Sequence, residues 1–342
     1  TDMPLSRYED VAGWRHAGWL SRQFRINVSG LVMLTGFTVV WVFSLAAMRR
    51  RFHHRFQLVH RLGYLLAGLA LLHIPSLQWV VGPAVLLALE LLGSRVLRLH
   101  RGCRTQAHVD ASGCSQLAIQ PNRRVPAQPG DYIQLRVKAL ARDEWHPFTL
   151  VSAGAGDGRL GLKIRSSGDW TRRLRALAGS EAGRSLTVDF RGPFASPAAF
   201  AQGRRNCLMI AGGIGITPFL GLLQGWSEAP ESLPEKLHLV WALRDPGELR
   251  WLTEDIHLPE VVMSRLFLDL HLTGDGHGTA ALSTRPRPAG LRYNLHRGRP
   301  DPTQINWAGP PPVCFVCGPR GLIRGARKAC RQRGWLLYEE QF

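Results

Sequence analysis

The residues best suited to chemistry fall in a few short runs. Ala211-Gly212-Gly213-Ile214-Gly215-Ile216-Thr217-Pro218 follows the apolar run CLMIA and precedes the helix-like FLGLLQGW. Three glycines let backbone approach a ligand closely, Thr217 can cap the helix, Pro218 suits its first turn, and a helix N-terminus attracts phosphate. The next apolar run, HLVWAL, ends at Arg244-Asp245, where a dinucleotide-binding fold meets its ribose. An arginine there suits a 2′-phosphate and favours NADPH over NADH, unless Arg244 is simply paired with Asp245 or Glu248 on the surface. His146-Pro147-Phe148-Thr149 sets an aromatic ring beside a hydroxyl at a strand end, a platform for a planar cofactor, although core Phe and strand Thr are common on their own. Gly168-Asp169-Trp170-Thr171 reads as a strand-to-helix turn that Asp169 or Thr171 can cap. Cys314 and Cys317 form a CxxC inside VCFVC, which reads as a buried strand. His60 and His73 lie in an apolar stretch, where ionisable side chains are functional by default.

The elements that must carry these residues change character along the chain. Val28 to Met48 has no charge and is long enough to cross a hydrocarbon core of about 30 Å. Leu62 to Leu89 is also uncharged, but Pro75-Ser76 divides it into two helices, near 56–75 and 79–97. Arg49, Arg50, Arg51 and Arg55 follow the first helix, and Arg95, Arg98, Arg101 and Arg104 follow the third, whereas the IPSLQW turn carries none. The positive-inside rule puts both basic loops in the cytoplasm. Part of the net charge of +18 is therefore topological and requires no nucleic acid. His60 and His73 are separated by about 20 Å of helical rise, suited to two stacked haems, but by roughly 140° around an ideal helix. Haem ligation and ordinary interfacial or hydrogen-bonded histidines both remain open on these residues alone.

Beyond residue 101 short alternating stretches follow: 117–120, 132–137, 148–152, 159–165 and 185–190, punctuated by Gly, Pro and Asp. They predict an antiparallel barrel of about six strands. From Asn206 the alternation of apolar strands with helix predicts a parallel α/β sheet, and residues 271–312 predict long loops with one short strand. With 45% hydrophobic and 20% charged residues, a disordered tail, a collagen-like rod and a small disulfide scaffold are excluded. The 6 cysteines are too scattered for a cystine framework, so reduced thiols are expected.

HPFT, then GDWT, then Cys317-Gly318-Pro319 ahead of a chain end in Tyr338-Glu339-Glu340-Gln341-Phe342 occur in one order. In that order they resemble the NADPH oxidase and ferric reductase family, and RRRFHHRFQLVHRLGYLLAGLALLH is similar to its cytoplasmic loop and fifth helix. The resemblance covers nearly the whole chain; GDWT and a terminal Phe are closer to NADPH oxidases than to ferric reductases. It implies transmembrane α-helices, then an antiparallel β-barrel FAD domain and an α/β parallel-sheet NAD(P)H domain of the ferredoxin-NADP reductase kind. The implied divisions are a 1–27 segment before the first span, three helices over 28–100, the barrel over 101–202 and the nucleotide domain over 203–342. Phe148 and Thr149 would lie near the isoalloxazine and His146 towards the FAD phosphates, with Pro147 beside them. Gly168, Asp169, Trp170 and Thr171 would face the pyrophosphate, aided by Arg165. Gly212, Gly213, Gly215, Thr217, Pro218 and Arg244 would hold the nucleotide. Cys317, with Gly318 and Pro319, would sit near the nicotinamide C4, Phe342 would stack on the flavin, and Arg299 would lie near the nucleotide unless it is a solvated loop charge. His60 and His73 take the haem-ligand positions.

The expected activity is an integral-membrane, superoxide-generating flavin reductase of the plasma (inner) membrane with cytoplasmic reductase domains. Electrons would pass from NADPH through FAD and haem b to O2. Ferric-chelate reduction, a partner-dependent haem-binding subunit and a membrane-tethered NAD(P)H:flavin reductase are the alternatives. In the family each haem takes a second histidine from the third helix. That pair is missing here, and His16 cannot replace it, so haem ligation is expected to be incomplete in this chain alone. Missing N-terminal helices, to which Thr1 points, a partner subunit or a remnant membrane half would account for this.

Overall fold

The computed structural model describes residues 22–45, 48, 53–73, 78–93, 98–153, 158–274 and 291–340. The chain divides into two compact units, Thr1–Leu92 and Gly93–Phe342.

In the first unit the apolar runs form α1 (Arg22–Ser44), α2 (His53–His73) and α3 (Gln78–Leu92). Among the described residues one stretch, Ile26–Ser44, is long and apolar enough to cross a membrane; Leu58–Ala70 and Val81–Leu92 are shorter apolar helices. The hydroxyls of Thr35, Thr38 and Ser44 donate to the carbonyls of Leu31, Leu34 and Val40, which satisfies them without water. Leu66 packs against Gly36 between α1 and α2, whereas Leu31, Leu34, Trp41, Leu65 and Leu86 are 64–70% exposed. Arg49 to Arg51, the Pro75-Ser76 turn, Arg95 and His16 lie outside the described residues.

The second unit begins earlier than its composition suggests. The described part of the third helix runs to Leu92, residues 94–97 lie outside the described residues, and Leu99–Val109 is strand β1. Arg101 and Arg104, expected as loop cations, point out of this strand, while His100, Cys103, Thr105 and Ala107 point in. β1 joins β2 (Ser115–Gln120), β3 (Tyr132–Arg136), β4 (His146–Ala153), β5 (Leu160–Ile164) and β6 (Leu186–Phe194) in a closed antiparallel barrel of order β1-β2-β5-β4-β3-β6. Leu117, Ile119, Ile133, Leu135, Leu150, Leu162 and Phe190 fill it. Asp189, almost fully buried, ties three strands together: it accepts from Gly102 N at 2.8 Å and from Arg136 Nη2 at 2.6 Å. α4 (Asp169–Ala178) closes one end with Trp170, Leu174 and Ala178.

After the barrel a parallel sheet runs in the order β10-β9-β8-β7-β11-β12. Its strands are β7 (Asn206–Gly212), β8 (Lys236–Leu243), β9 (Leu266–Leu272), β10 (Arg292–Arg297), β11 (Val313–Cys317) and β12 (Leu336–Glu340). α5 (Thr217–Glu228) covers one face with Phe219, Leu222, Leu223 and Trp226 and also packs against β4 of the barrel. α6 (Arg250–Thr253) and α7 (Glu260–Arg265) follow β8, and α8 (Arg320–Arg333) covers the other face with Ile323, Ala326 and Cys330. Within 271–312, past the end of β9, the described residues hold one strand, β10; residues 275–290 lie outside the described residues.

Candidate functional site

Parallel strands present their C-terminal ends along one edge, and ligands bind in the crevice outside that edge. Here the crevice is a cleft of about 860 Å³ lined by Arg165, Gly212, Gly213, Arg244, Arg299 and Pro319, together with seven other residues. Six residues singled out from distant parts of the sequence thus meet in one place, with three arginines around a glycine turn. The volume is in the range of small-molecule and cofactor sites.

The glycine turn is a 3₁₀ segment, Gly213–Ile216, leading directly into α5, with Pro218 in the first helical turn. Trp241 on β8 fastens it by donating from Nε1 to the Gly213 carbonyl at 3.1 Å. Gly213 has φ +56°, and a β-carbon there would stand 2.7 Å from Arg165 Nη1, so only glycine lets the guanidinium lie on this backbone. Thr217 does not cap the helix: its hydroxyl donates back to the Ile214 carbonyl at 3.1 Å, because Thr217 is already helical and Ile216 is the N-cap.

Arg244 sits on the cleft wall without an ion pair among the described residues. Asp245 accepts from the amide of Gly247 at 2.7 Å, and the Glu248 carboxylate is taken by Arg165. The surface pairing that competed with phosphate binding for Arg244 is therefore absent. Arg299 lines the cleft as well.

At the GDWT turn the Thr171 hydroxyl accepts from the amides of Ser167 and Gly168, both at 2.9 Å, and donates to the Gly168 carbonyl at 3.0 Å. Gly168, and neither Asp169 nor Thr171, is the N-cap residue of α4; Thr171 stands three residues on and takes up the Gly168 amide. The N–H groups of Asp169 and Trp170 open α4, where a helix leaves its first amides without intrahelical partners. Above them His146 and Phe148 meet Trp170, with ring centroids 4.2 Å and 5.9 Å away. One residue on from Phe148, the Thr149 hydroxyl is buried without a hydrogen-bond partner among the described residues, as is Trp170 Nε1. Buried polar groups are normally paired, so two orphans beside an aromatic cluster fit a planar, polar-edged cofactor.

Cys317 and Cys314 alternate along β11, so Cys317 faces the α5 side and Cys314 the α8 side, which rules out a shared disulfide or metal. Burial pushes the Cys317 thiol far above its ordinary range, so it stays neutral. Across the strand pair it is in register with Glu340, a buried carboxyl that burial raises to about 7 despite hydrogen bonds from Ser196 and the Ala198 amide. In the folded chain Glu340 therefore keeps a proton over a range where the unfolded chain has lost it. Stability is expected to fall by about 3 kcal/mol as pH rises from 4.5 to about 7, and Glu340→Gln should flatten that slope in urea titrations.

Phe342 lies outside the described residues. His60 is exposed on α2 with the Phe56 ring centroid 5.1 Å away; the side chain of His73 lies outside those described. Sequence patterns did not single out Glu248, Trp241, Lys163 or Glu340 as site residues, because their roles come from partners far along the chain.

Residues 105–198 match a family model described as FAD-binding domain, and residues 204–331 match one described as Ferric reductase NAD binding domain. Human NADPH oxidase 3 is 32% identical over 74% of this chain and 49% of its own length. Human NADPH oxidase 5 is 24% identical over 96% of this chain and 53% of its length, and human dual oxidase 2 is 26% identical over 92% and 23%. The chain thus spans between about a quarter and about half the length of these oxidases. Two solved structures share the fold. The flavohemoglobin of Malassezia yamatoensis with bound FAD and haem has a TM-score of 0.56 at 15% identity, covering 96% of this chain and 82% of that one. The cytochrome b5 reductase domain of Ulva prolifera nitrate reductase has a TM-score of 0.51 at 16% identity, covering 70% and 97%.

Proposed function

We propose, for a chain that belongs to the NADPH oxidase and ferric reductase family, that it takes electrons from NADPH into FAD and delivers them across a membrane to O2, producing superoxide. The observation that carries this reading is the cleft in which Arg165, the Gly212-Gly213 turn, Arg244 and Arg299 converge. FAD held in this reductase unit would supply the conversion of a two-electron hydride donor into single electrons, and haem held in part by His60 and His73 would supply their one-electron relay.

The chain's own residues bind, orient and exclude water. The glycine turn and the N-terminus of α5 receive the nucleotide phosphates, and Arg244 reads a 2′-phosphate. Arg165 and the first amides of α4 hold the flavin pyrophosphate. Thr149 donates its unused hydroxyl to the flavin ring, and the neutral Cys317 packs where the nicotinamide arrives, adding no charge. The 101–202 and 203–342 divisions serve as flavin and nucleotide domains. The lipid-facing side chains of α1 fit a span, and His60 and His73 on α2 are assigned to haem, with further ligands from outside this chain. By the positive-inside rule the reductase unit is cytoplasmic.

Arg244→Gln is expected to raise the KM for NADPH by about 10- to 100-fold and leave that for NADH unchanged, the loss of one charge-assisted contact. Thr149→Val removes a hydroxyl that has no partner among the described residues. The flavin-free chain should keep its stability or gain about 1 kcal/mol, while FAD binds more weakly in a fluorescence titration. The match to a ferric reductase nucleotide domain favours a second reading in which ferric chelate is the acceptor. The purified, FAD- and haem-supplemented chain separates the two. Superoxide-dismutase-sensitive dye reduction supports O2 as acceptor, and dismutase-insensitive reduction of a ferric chelate supports the second reading.

A further inference from the structure

One ion pair in the cleft is not used by that mechanism. Arg165, just past the end of β5, is gripped by Glu248, which the 3₁₀ turn Pro246–Leu249 presents from the nucleotide side. The Glu248 side chain is 4% exposed and that of Arg165 is 30% exposed. Oε1 of Glu248 takes the guanidinium, whereas Oε2 is buried with no hydrogen-bond partner among the described residues. The turn is held in shape by Asp245, whose side chain accepts from Gly247 N and whose carbonyl accepts from Glu248 N at 2.9 Å. The same segment carries Arg244 on the cleft wall and Trp251 against the barrel. The Trp251 ring centroid lies 5.8 Å from the Arg165 guanidinium carbon, and its Nε1 donates to Ser112 at 3.1 Å. The residues from Arg244 to Trp251 thus join the nucleotide side of the cleft to the barrel.

We infer that Glu248 is an internal occupant of the anion seat at Arg165, a carboxylate that a pyrophosphate ester must displace, so that phosphate binding loosens the 245–256 segment from the barrel. This rests on the reading of Arg165 as a phosphate partner. A pyrophosphate offers the guanidinium fork more charge and more acceptor oxygens than one carboxylate oxygen does. Glu248 competes poorly, because half of its carboxylate is already unsatisfied. Once Arg165 turns to a phosphate, Glu248 is left buried without its cation. Its carboxyl, which burial already pushes up, is relieved by taking up a proton or by the turn carrying it out to water, and the second route is the one that loosens the segment. Binding and interdomain contact are then one equilibrium, with Glu248 as the coupling residue.

The full chain in detergent is titrated separately with FAD and with NADP+, as wild type and as Glu248→Gln. The variant is expected to bind one of the two about tenfold more tightly, and the one affected identifies the source of the pyrophosphate. Unchanged or weaker binding of both overturns the inference. Hydrogen exchange on the wild-type chain gives a second readout that needs no variant and no turnover. Backbone amides of residues 245–256 should exchange faster in excess inorganic pyrophosphate, and unchanged protection overturns the coupling. Arg165→Ala separates this inference from the reading beneath it. If that change leaves both affinities untouched, Arg165 is not a phosphate partner and the flavin-site assignment fails with it. If it weakens binding while Glu248→Gln does not tighten it, only the role of Glu248 falls.

Discussion

Gly215→Ala is expected to lower kcat/KM for NADPH by about 100-fold, the loss associated with displacing a positioned substrate by about 1 Å, while FAD affinity stays within experimental error of wild type. A β-carbon at position 215 would stand 2.5 Å from the carbonyl oxygen of Cys317 and 2.8 Å from its carbonyl carbon. Both are backbone atoms of β11, which is paired on one side with β7 and on the other with β12, and neither can rotate away. The turn has to lift off the strand, and with it move the amides that open α5. Gly321 supplies the control. It lines the same cleft, has nothing within 4 Å of its would-be β-carbon and is helical, so Gly321→Ala should leave activity unchanged and stabilise α8 by about 1 kcal/mol. Steady-state kinetics with NADPH, flavin fluorescence titration and thermal melts of the two variants make the comparison.

A second large effect belongs to the seam between barrel and sheet. Lys163 on β5 is 3% exposed, and its ammonium lies 2.7 Å from Asp110 of the barrel and 2.6 Å from Asp255 of the nucleotide side, with the Trp251 ring centroid 4.9 Å away. Gln116 adds a hydrogen bond to Asp255 at 3.1 Å. Burial alone would raise the Asp110 carboxyl, but hydrogen bonds from Lys163, Ser112 and the Cys114 amide hold it down to about 2. Lys163→Met leaves two carboxylates facing each other without a cation, and should cost about 3–5 kcal/mol at neutral pH. The sign of its pH dependence distinguishes charge from packing. In wild type the depressed Asp110 carboxyl contributes stability at neutral pH that is lost as pH falls towards 2. In the variant acid protonates the orphaned carboxylates, so the deficit relative to wild type should shrink as pH falls. Urea unfolding of both chains across that range would show it, and a pH-independent deficit would assign Lys163 a packing role.

Lys163, Asp255 and the Arg165–Glu248 pair mark where local pattern stops being informative. RLGLKIR reads correctly as a strand, yet nothing within it announces that Lys163 turns inward to meet an aspartate more than ninety positions later. Motifs that act through their own backbone were legible. The glycine turn, HPFT and GDWT are contiguous, and each carries its structural reason in adjacent residue types. β1 was hidden for a different reason. Its arginines directly follow apolar helices and so look like loop cations, while the register shift between His100 and Cys103 interrupts the alternation that marks a barrel strand. Thr217 shows the limit of cap prediction. A threonine before proline fits an N-cap, but a preceding 3₁₀ turn had already satisfied its hydroxyl. The cleft could be anticipated as a set of residues but not as a volume, because its walls come from the ends of β7 and β8, from the residues just past β5, β9 and β11, and from the 299–300 segment at once.

The most direct test of the central claim is anaerobic flavin reduction. The purified chain is loaded with FAD, freed of unbound flavin and mixed with NADPH in the absence of O2, and the oxidised-flavin absorbance is followed. Rapid bleaching by NADPH, slower bleaching by NADH, and loss of that preference in Arg244→Gln are the predicted results. Stable FAD binding with no bleaching by either nucleotide would contradict the account, because the arginine-lined cleft would then hold no hydride donor in reach of the flavin.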